Sequence, residues 1–214
     1  MSVISPAILA ENEVDYNNQV EKIASFCERL HIDVSDGEFA PRLTVSLNQV
    51  WWPETVKADI HMMVQRPAEH LEWLLKLRPH LVLFHAEAEG DIVSVIKQLQ
   101  SSGIKAGVVL QRKTVPATVA PLIEASDHVM IFSGELGQFG GTASLMQLEK
   151  VRLIHRIKAG VEIGWDGGVS TANIYSLVHG GVQVLAVGGA LQKSHDAQVA
   201  YNELLKEATK QGIL

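Results

Sequence analysis

VEIGWDGGVSTANIYSLVHGGVQVLAV, residues 161–187, decides the fold. Val161–Trp165 and Val182–Val187 are short runs of Val, Ile and Leu, the composition of strands buried on both faces. Between them lie a glycine-rich turn from Asp166 and a segment, Thr171–Val178, with helical spacing. Strand, turn, helix and strand in so short a span make one right-handed crossover, which requires a parallel sheet.

The same unit recurs toward the N-terminus. Strands are expected over Val3–Leu9, Arg29–Val34, Val56–Val64, His80–Ala86, Lys105–Leu110 and His128–Ser133. Helices are expected over Tyr16–Phe26, Ala68–Leu77, Ile92–Gln100, Val115–Ala125, Leu145–Ile157 and Ala197–Lys210. The second connection, Val45–Trp52, is short and carries the thinnest helical pattern. Eight such units in 214 residues fit a closed (β/α)8 TIM barrel, read as a single domain over residues 1–214. An open doubly wound sheet would place a glycine-rich dinucleotide turn after the first strand, and Pro6–Asn12 holds no glycine.

Composition narrows the partners. Lys and Arg number 18 against 24 Asp and Glu, a net charge of −6 with both signs scattered, so the clustered basic stripe of a nucleic-acid binder is missing. No stretch approaches the roughly 20 apolar residues of a membrane span, and MSVISPAILAEN lacks the basic start of a signal peptide, so the expected location is cytoplasmic. The lone Cys27 sits in an apolar helical pattern and reads as a small buried hydrophobe.

A barrel of this kind builds its active site at the C-terminal ends of its strands. Side chains alternate along a strand, so His31 and Asp33 in LHIDVSDG share the inward face, with Asp36 in the following loop. DIHMMV puts Asp59, His61 and Met63 on one face; FHAEAEG does the same for His85 and Glu87; EIGWDGG ends in Asp166. His31, Asp33, His61 and Asp166 form a two-His, two-carboxylate set suited to a divalent transition metal, Zn²⁺, Fe²⁺, Mn²⁺ or Co²⁺. The alternative is a set of hydrogen-bonded core residues, but two neighbouring buried carboxylates call for a cation. His85, paired by local spacing only with Glu87, reads as a histidine hydrogen-bonded within a filled barrel layer, with support of a metal ligand from behind as the alternative. His70, His80, His128, His155, His179 and His195, on helices or at strand starts, read as solvated or capping. Glycine-rich turns at Gly134, Asp166 and Val187 follow the last three strands, the corner where barrels commonly cradle phosphate with backbone N–H groups.

These residues resemble the ribulose-phosphate 3-epimerase family. The likeness runs in order through ISPAILA from Ile4, HIDVSDGEFAP, DIHMMVQRP, LFHAEA, GIKAGVVL, FGG and DGGVSTAN to VGGAL, ending at Leu191. It implies a barrel of the ribulose-phosphate-binding type that inverts carbon 3 of a ketose phosphate. D-ribulose 5-phosphate to D-xylulose 5-phosphate is the first expectation and a hexulose 6-phosphate of the allulose type the second. His31, Asp33, His61 and Asp166 would hold the metal, with Asp33 and Asp166 doubling as the acid/base pair. Phosphate contacts would fall on Gly137, Phe139, Gly140, Gly141, Gly167, Gly168, Gly188 and Gly189. Family members are commonly oligomeric, so a homo-oligomer is expected.

The chain departs from the family pattern at several positions. Ala7 replaces a substrate-facing serine, Ser35 a methionine, Glu38 a histidine, Arg42 an asparagine and Phe132 a methionine. The loop Glu135–Thr142 carries one extra residue, and Trp165 stands where a small aliphatic is usual, on the outward face. A non-catalytic phosphosugar-binding barrel is therefore a competing reading. A second competitor, the barrels related to orotidine phosphate decarboxylase and hexulose-phosphate synthase, carries Asp-x-Lys-x-x-Asp on strand three; here those positions hold Asp59, His61 and Val64.

Overall fold

The computed structural model describes residues 2–138 and 140–211. Eight strands, β1 (Val3–Ile8), β2 (Arg29–Ser35), β3 (Lys57–Met63), β4 (Leu81–His85), β5 (Lys105–Leu110), β6 (His128–Phe132), β7 (Glu162–Asp166) and β8 (Val184–Val187), close in sequence order. Every neighbouring pair is parallel, including β1 with β8. The outer layer holds α1 (Glu13–Ile23), α2 (Leu71–Leu77), α3 (Ile92–Ser101), α4 (Ala120–Ala125), α5 (Glu149–Ile157), α6 (Ile174–His179), α7 (Gly189–Gln192) and α8 (Ala197–Ala208). The expected barrel is thus the observed one.

Local chemistry sets the boundaries. Asn12 caps α1 by accepting the Asp15 N–H at 3.0 Å, so that helix starts ahead of the expected Tyr16. Pro67 and Pro116 open single 3₁₀ turns that lead into α2 and α4, where proline's missing donor costs nothing.

No helix forms over Val45–Trp52, which corrects the expectation for the second connection. The Ser46 hydroxyl bonds Asn48 Oδ1 at 2.5 Å and Gln49 Oε1 at 2.9 Å, and the Gln49 N–H donates to Ser46 O at 2.9 Å. These side chains offer the backbone a turn in place of a helix, while Val45, Leu47 and Val50 bury their side chains in the core.

The main core lies between sheet and helices, built from outward residues such as Ile8, Ile32, Ile60, Phe84, Val108 and Trp165. Trp165 is fully buried there, with its indole N–H donating to Gly167 O at 3.0 Å. Inside the barrel the two halves differ. Leu81, Leu83, Val109, Met130 and Phe132 form an apolar cluster on the β4–β6 side.

The N-terminal mouth is closed by charge. Arg29 bonds Asp59 at 2.5 Å and Glu162 at 3.1 Å; His128 contacts Glu162 at 2.7 Å and His80 contacts Asp59 at 3.0 Å. His128 is therefore a buried hydrogen-bond partner of Glu162, not the solvated or capping residue expected from the sequence. Strand tilt explains the difference, because it turns the first residues of β2, β6 and β7 into the barrel floor.

Candidate active site

At the opposite mouth β2, β3 and β7 bring His31, Asp33, His61 and Asp166 together, with one ligand atom from each lying within 4.8 Å of all the others. Register does this: Asp33 pairs with His61 across β2 and β3, and Asp166 pairs with Ala186 on β8. His61 Nδ1 lies 2.8 Å from Asp33 and 3.6 Å from Asp166, and His31 Nε2 lies 3.3 and 3.7 Å from the same carboxylates.

The field of this cluster is negative. Burial opposes a charge on His31, yet the Asp33 hydrogen bond and the charges of Asp33, Asp166 and Asp59 push it up to about 9. Burial would likewise raise Asp33, but hydrogen bonds from His31 and His61 hold its carboxyl well below the usual range. Asp166 is pushed up, by burial first and by the neighbouring Asp33 charge. Two imidazoles and two carboxylates converging in a buried negative field fit a divalent transition ion.

His85 lies behind His61, its Nε2 2.9 Å from His61 Nε2. Burial holds it down at about 4, so the ring is neutral. It does occupy a filled interior layer, with Phe39 and Phe132 packed at 4.8 and 5.6 Å between ring centroids.

Asp33 and Asp166 open into a cleft lined also by Ala7, Met63 and Phe132, while His31 and His61 lie fully buried off its lining. Gly137, Gly140, Gly167, Gly168, Gly188 and Gly189 also line the cleft. Gly167 and Gly168 have φ of +107° and +72°, and a Cβ there would fall 2.0 Å from Gly134 N and 2.3 Å from Ala143 N. The turn after β7 therefore packs backbone to backbone against the loop after β6. Gly141 stands against Gly134 and does not line the cleft. Phe139 lies outside the described residues.

Several supporting residues carry no signal in the sequence. The Arg112 guanidinium donates to Ser133 O at 2.9 Å and Thr142 O at 3.2 Å, and the Ser133 hydroxyl accepts the Ser144 N–H at 2.9 Å, so the two residues staple the glycine loop. They are distant in sequence and no local pattern links them. Asp36 accepts N–H groups from Glu38, Phe39 and Gln65 at 2.7–2.8 Å, folding the loop after β2 over the mouth. There Phe39 and Ala40 pack with Leu9, Met63 and Leu136. Two departures from the family pattern tie this loop outward: Glu38 forks onto Arg66 at 2.8 and 2.6 Å, and Arg42 meets Glu11 at 3.2 Å.

No helix among the described residues is long and apolar enough to cross a membrane. A sequence profile described as the ribulose-phosphate 3 epimerase family matches residues 3–192. A Helicobacter pylori ribulose-phosphate 3-epimerase is 32% identical over 94% of this chain and 95% of its own length. The chloroplastic ribulose-5-phosphate-3-epimerase of Arabidopsis thaliana is 31% identical over 95% of this chain and 75% of its own. Among solved structures, a KGPDC from Streptococcus mutans superposes with a TM-score of 0.73 at 12% identity over 97% of each chain. A Salmonella typhimurium 3-hexulose-6-phosphate synthase gives 0.71 at 12% identity over 96% of this chain and 98% of its own. At such identities these structures attest the barrel alone. The profile match and the curated relatives place this chain in the ribulose-phosphate 3-epimerase family, whose members are carbohydrate epimerases.

Proposed function

We propose that the chain is a single-domain, metal-dependent epimerase that inverts carbon 3 of a ketose phosphate, interconverting D-ribulose 5-phosphate and D-xylulose 5-phosphate. One observation carries the reading: Asp33 and Asp166, from strands three steps apart round the barrel, meet beside two histidines at the floor of a glycine-walled cleft.

The proton on carbon 3 of a 2-ketose is weakly acidic, and inversion needs a proton acceptor on each face of that carbon. Asp33 takes the proton on one face and Asp166 returns one on the other; the reverse reaction exchanges their roles. His31, His61 and the two aspartates would hold a divalent transition ion, whose positive charge would stabilise the negative charge that proton removal leaves on the substrate. The backbone of Gly137, Gly140, Gly167, Gly168, Gly188 and Gly189 anchors the phosphate, fixing carbon 3 between the carboxylates. Phe39, Met63 and Phe132 exclude water from the reacting carbon.

Ala7 on the cleft wall gives up a hydroxyl donor, which makes a hexulose 6-phosphate the second reading. The test offers metal-analysed protein D-ribulose 5-phosphate and, separately, D-allulose 6-phosphate, with NMR detection of the epimers. The proposal expects kcat/KM for the pentulose to exceed that for the hexulose by about tenfold or more, the discrimination expected of one extra carbon unit. Turnover of the hexulose alone would replace the substrate. Turnover of neither by metal-loaded protein would leave a non-catalytic phosphosugar-binding barrel.

A further inference from the structure

His61 is held at both ring nitrogens. Nδ1 faces Asp33 at 2.8 Å and Asp166 at 3.6 Å, while Nε2 lies 2.9 Å from Nε2 of His85. Two nitrogens at that separation share one proton, so one ring donates and the other accepts. The direction is set further out. His85 Nδ1 makes no hydrogen bond among the described residues, but Glu87 Oε2 lies 3.5 Å from it, and a carboxylate attracts a proton and only accepts. Glu87 is itself fixed at its other oxygen, where Oε1 accepts from the Thr114 hydroxyl and from the Gln111 N–H at 3.4 Å.

We infer that Glu87 and His85 are positioning residues that choose the tautomer of His61: the Glu87 carboxylate draws the His85 proton to Nδ1, so that His85 Nε2 accepts from His61 Nε2–H and the Nδ1 lone pair of His61 is left for the metal. This rests on the metal reading above. His31 lacks such support: its Nε2 faces the carboxylates, and its Nδ1 has no hydrogen-bond partner among the described residues. The tautomer at this centre is thus imposed through one of its two histidines. Partners of this kind typically alter metal affinity 10- to 100-fold when removed.

The wiring names its own test variant. In Glu87→Gln the amide oxygen takes the place facing Thr114 and Gln111, which both donate, so the amide NH₂ faces His85 Nδ1. His85 must then accept there and carry its proton on Nε2, opposing the His61 donor. His85→Leu removes the acceptor outright, whereas His85→Gln can set its carbonyl oxygen where Nε2 stood.

The experiment titrates Co²⁺ into metal-free protein against a chromophoric chelator and records the visible ligand-field spectrum. Glu87→Gln and His85→Leu are expected to lose 10- to 100-fold in Co²⁺ affinity with an altered spectrum, and His85→Gln to stay near the wild type. The unfolding midpoint of metal-free Glu87→Gln should match that of the wild type, because the Glu87 side chain is 31% exposed. Wild-type affinity and spectrum in Glu87→Gln would overturn the inference while leaving the metal reading standing, and this variant decides the matter if His85→Leu fails to fold. Absence of Co²⁺ binding by the wild type would overturn both.

Discussion

Arg29→Met should separate the floor of the barrel from its active mouth. The Arg29 side chain is 6% exposed and neutralises Asp59, which is fully buried, at 2.5 Å. Methionine keeps the packing of the aliphatic stem but leaves Asp59 with His80 alone, at 3.0 Å. Stranding one charge of a buried pair costs about 3 to 5 kcal/mol. The second arm, to Glu162, adds little because that carboxylate is 32% exposed. For a chain of 214 residues the unfolding entropy is roughly 0.45 kcal/mol per kelvin, so the thermal midpoint should fall by about 7 to 11 °C. Adding Asp59→Asn removes the stranded charge and should recover at least half of that loss. At 25 °C, kcat and KM of the folded single variant should match the wild type, since the floor lies at the end of the barrel away from the cleft. Differential scanning calorimetry with steady-state kinetics checks both parts. A midpoint within about 2 °C of the wild type would refute the buried-pair reasoning, which requires at least 3 kcal/mol.

Three further predictions concern single residues. Asp33→Asn and Asp166→Asn should each lower kcat by about 10² to 10⁴ while circular dichroism stays native, and turnover near the wild type in either would remove that aspartate from proton transfer. Gly168→Ala forces a side chain into a left-handed turn 2.3 Å from Ala143 N, so KM for the phosphorylated substrate should rise more than kcat falls; unchanged kinetics would dissociate this turn from phosphate binding. Burial would raise the Glu162 carboxyl, but His128 and Arg29 hold it well below the usual range. Its stabilisation is therefore present above the unfolded value of about 4.3 and lost as pH falls toward the lower folded value. Glu162→Gln should lower the midpoint at pH 7 and flatten its decline below about pH 4.5, and parallel acid limbs in variant and wild type would count against the pairing.

The strands are legible in the sequence because each is a run of Val, Ile and Leu buried on both faces, and the four clustered residues because strand alternation and barrel polarity point them to one mouth. The second crossover misleads because Val45, Leu47 and Val50 mimic a helical stripe while the Ser46 side chain diverts the backbone into a turn. His128 misleads because local spacing carries no information about strand tilt. The chain from His61 through His85 to Glu87 depends on rotamers and on a residue of the loop after β5, Thr114, that no linear pattern connects. Gly141 and Gly168 look alike in the sequence, and only backbone packing assigns one to the cleft and the other behind it.

The central claim, proton transfer at carbon 3 by two aspartates, is tested most directly by proton NMR of D-ribulose 5-phosphate with the metal-analysed protein in D₂O. The account predicts that D-xylulose 5-phosphate appears carrying solvent deuterium at carbon 3 from the first turnovers, because the proton taken on one face is not the one returned on the other. Product that keeps its original carbon 3 proton, or a spectrum unchanged with metal bound, would contradict it.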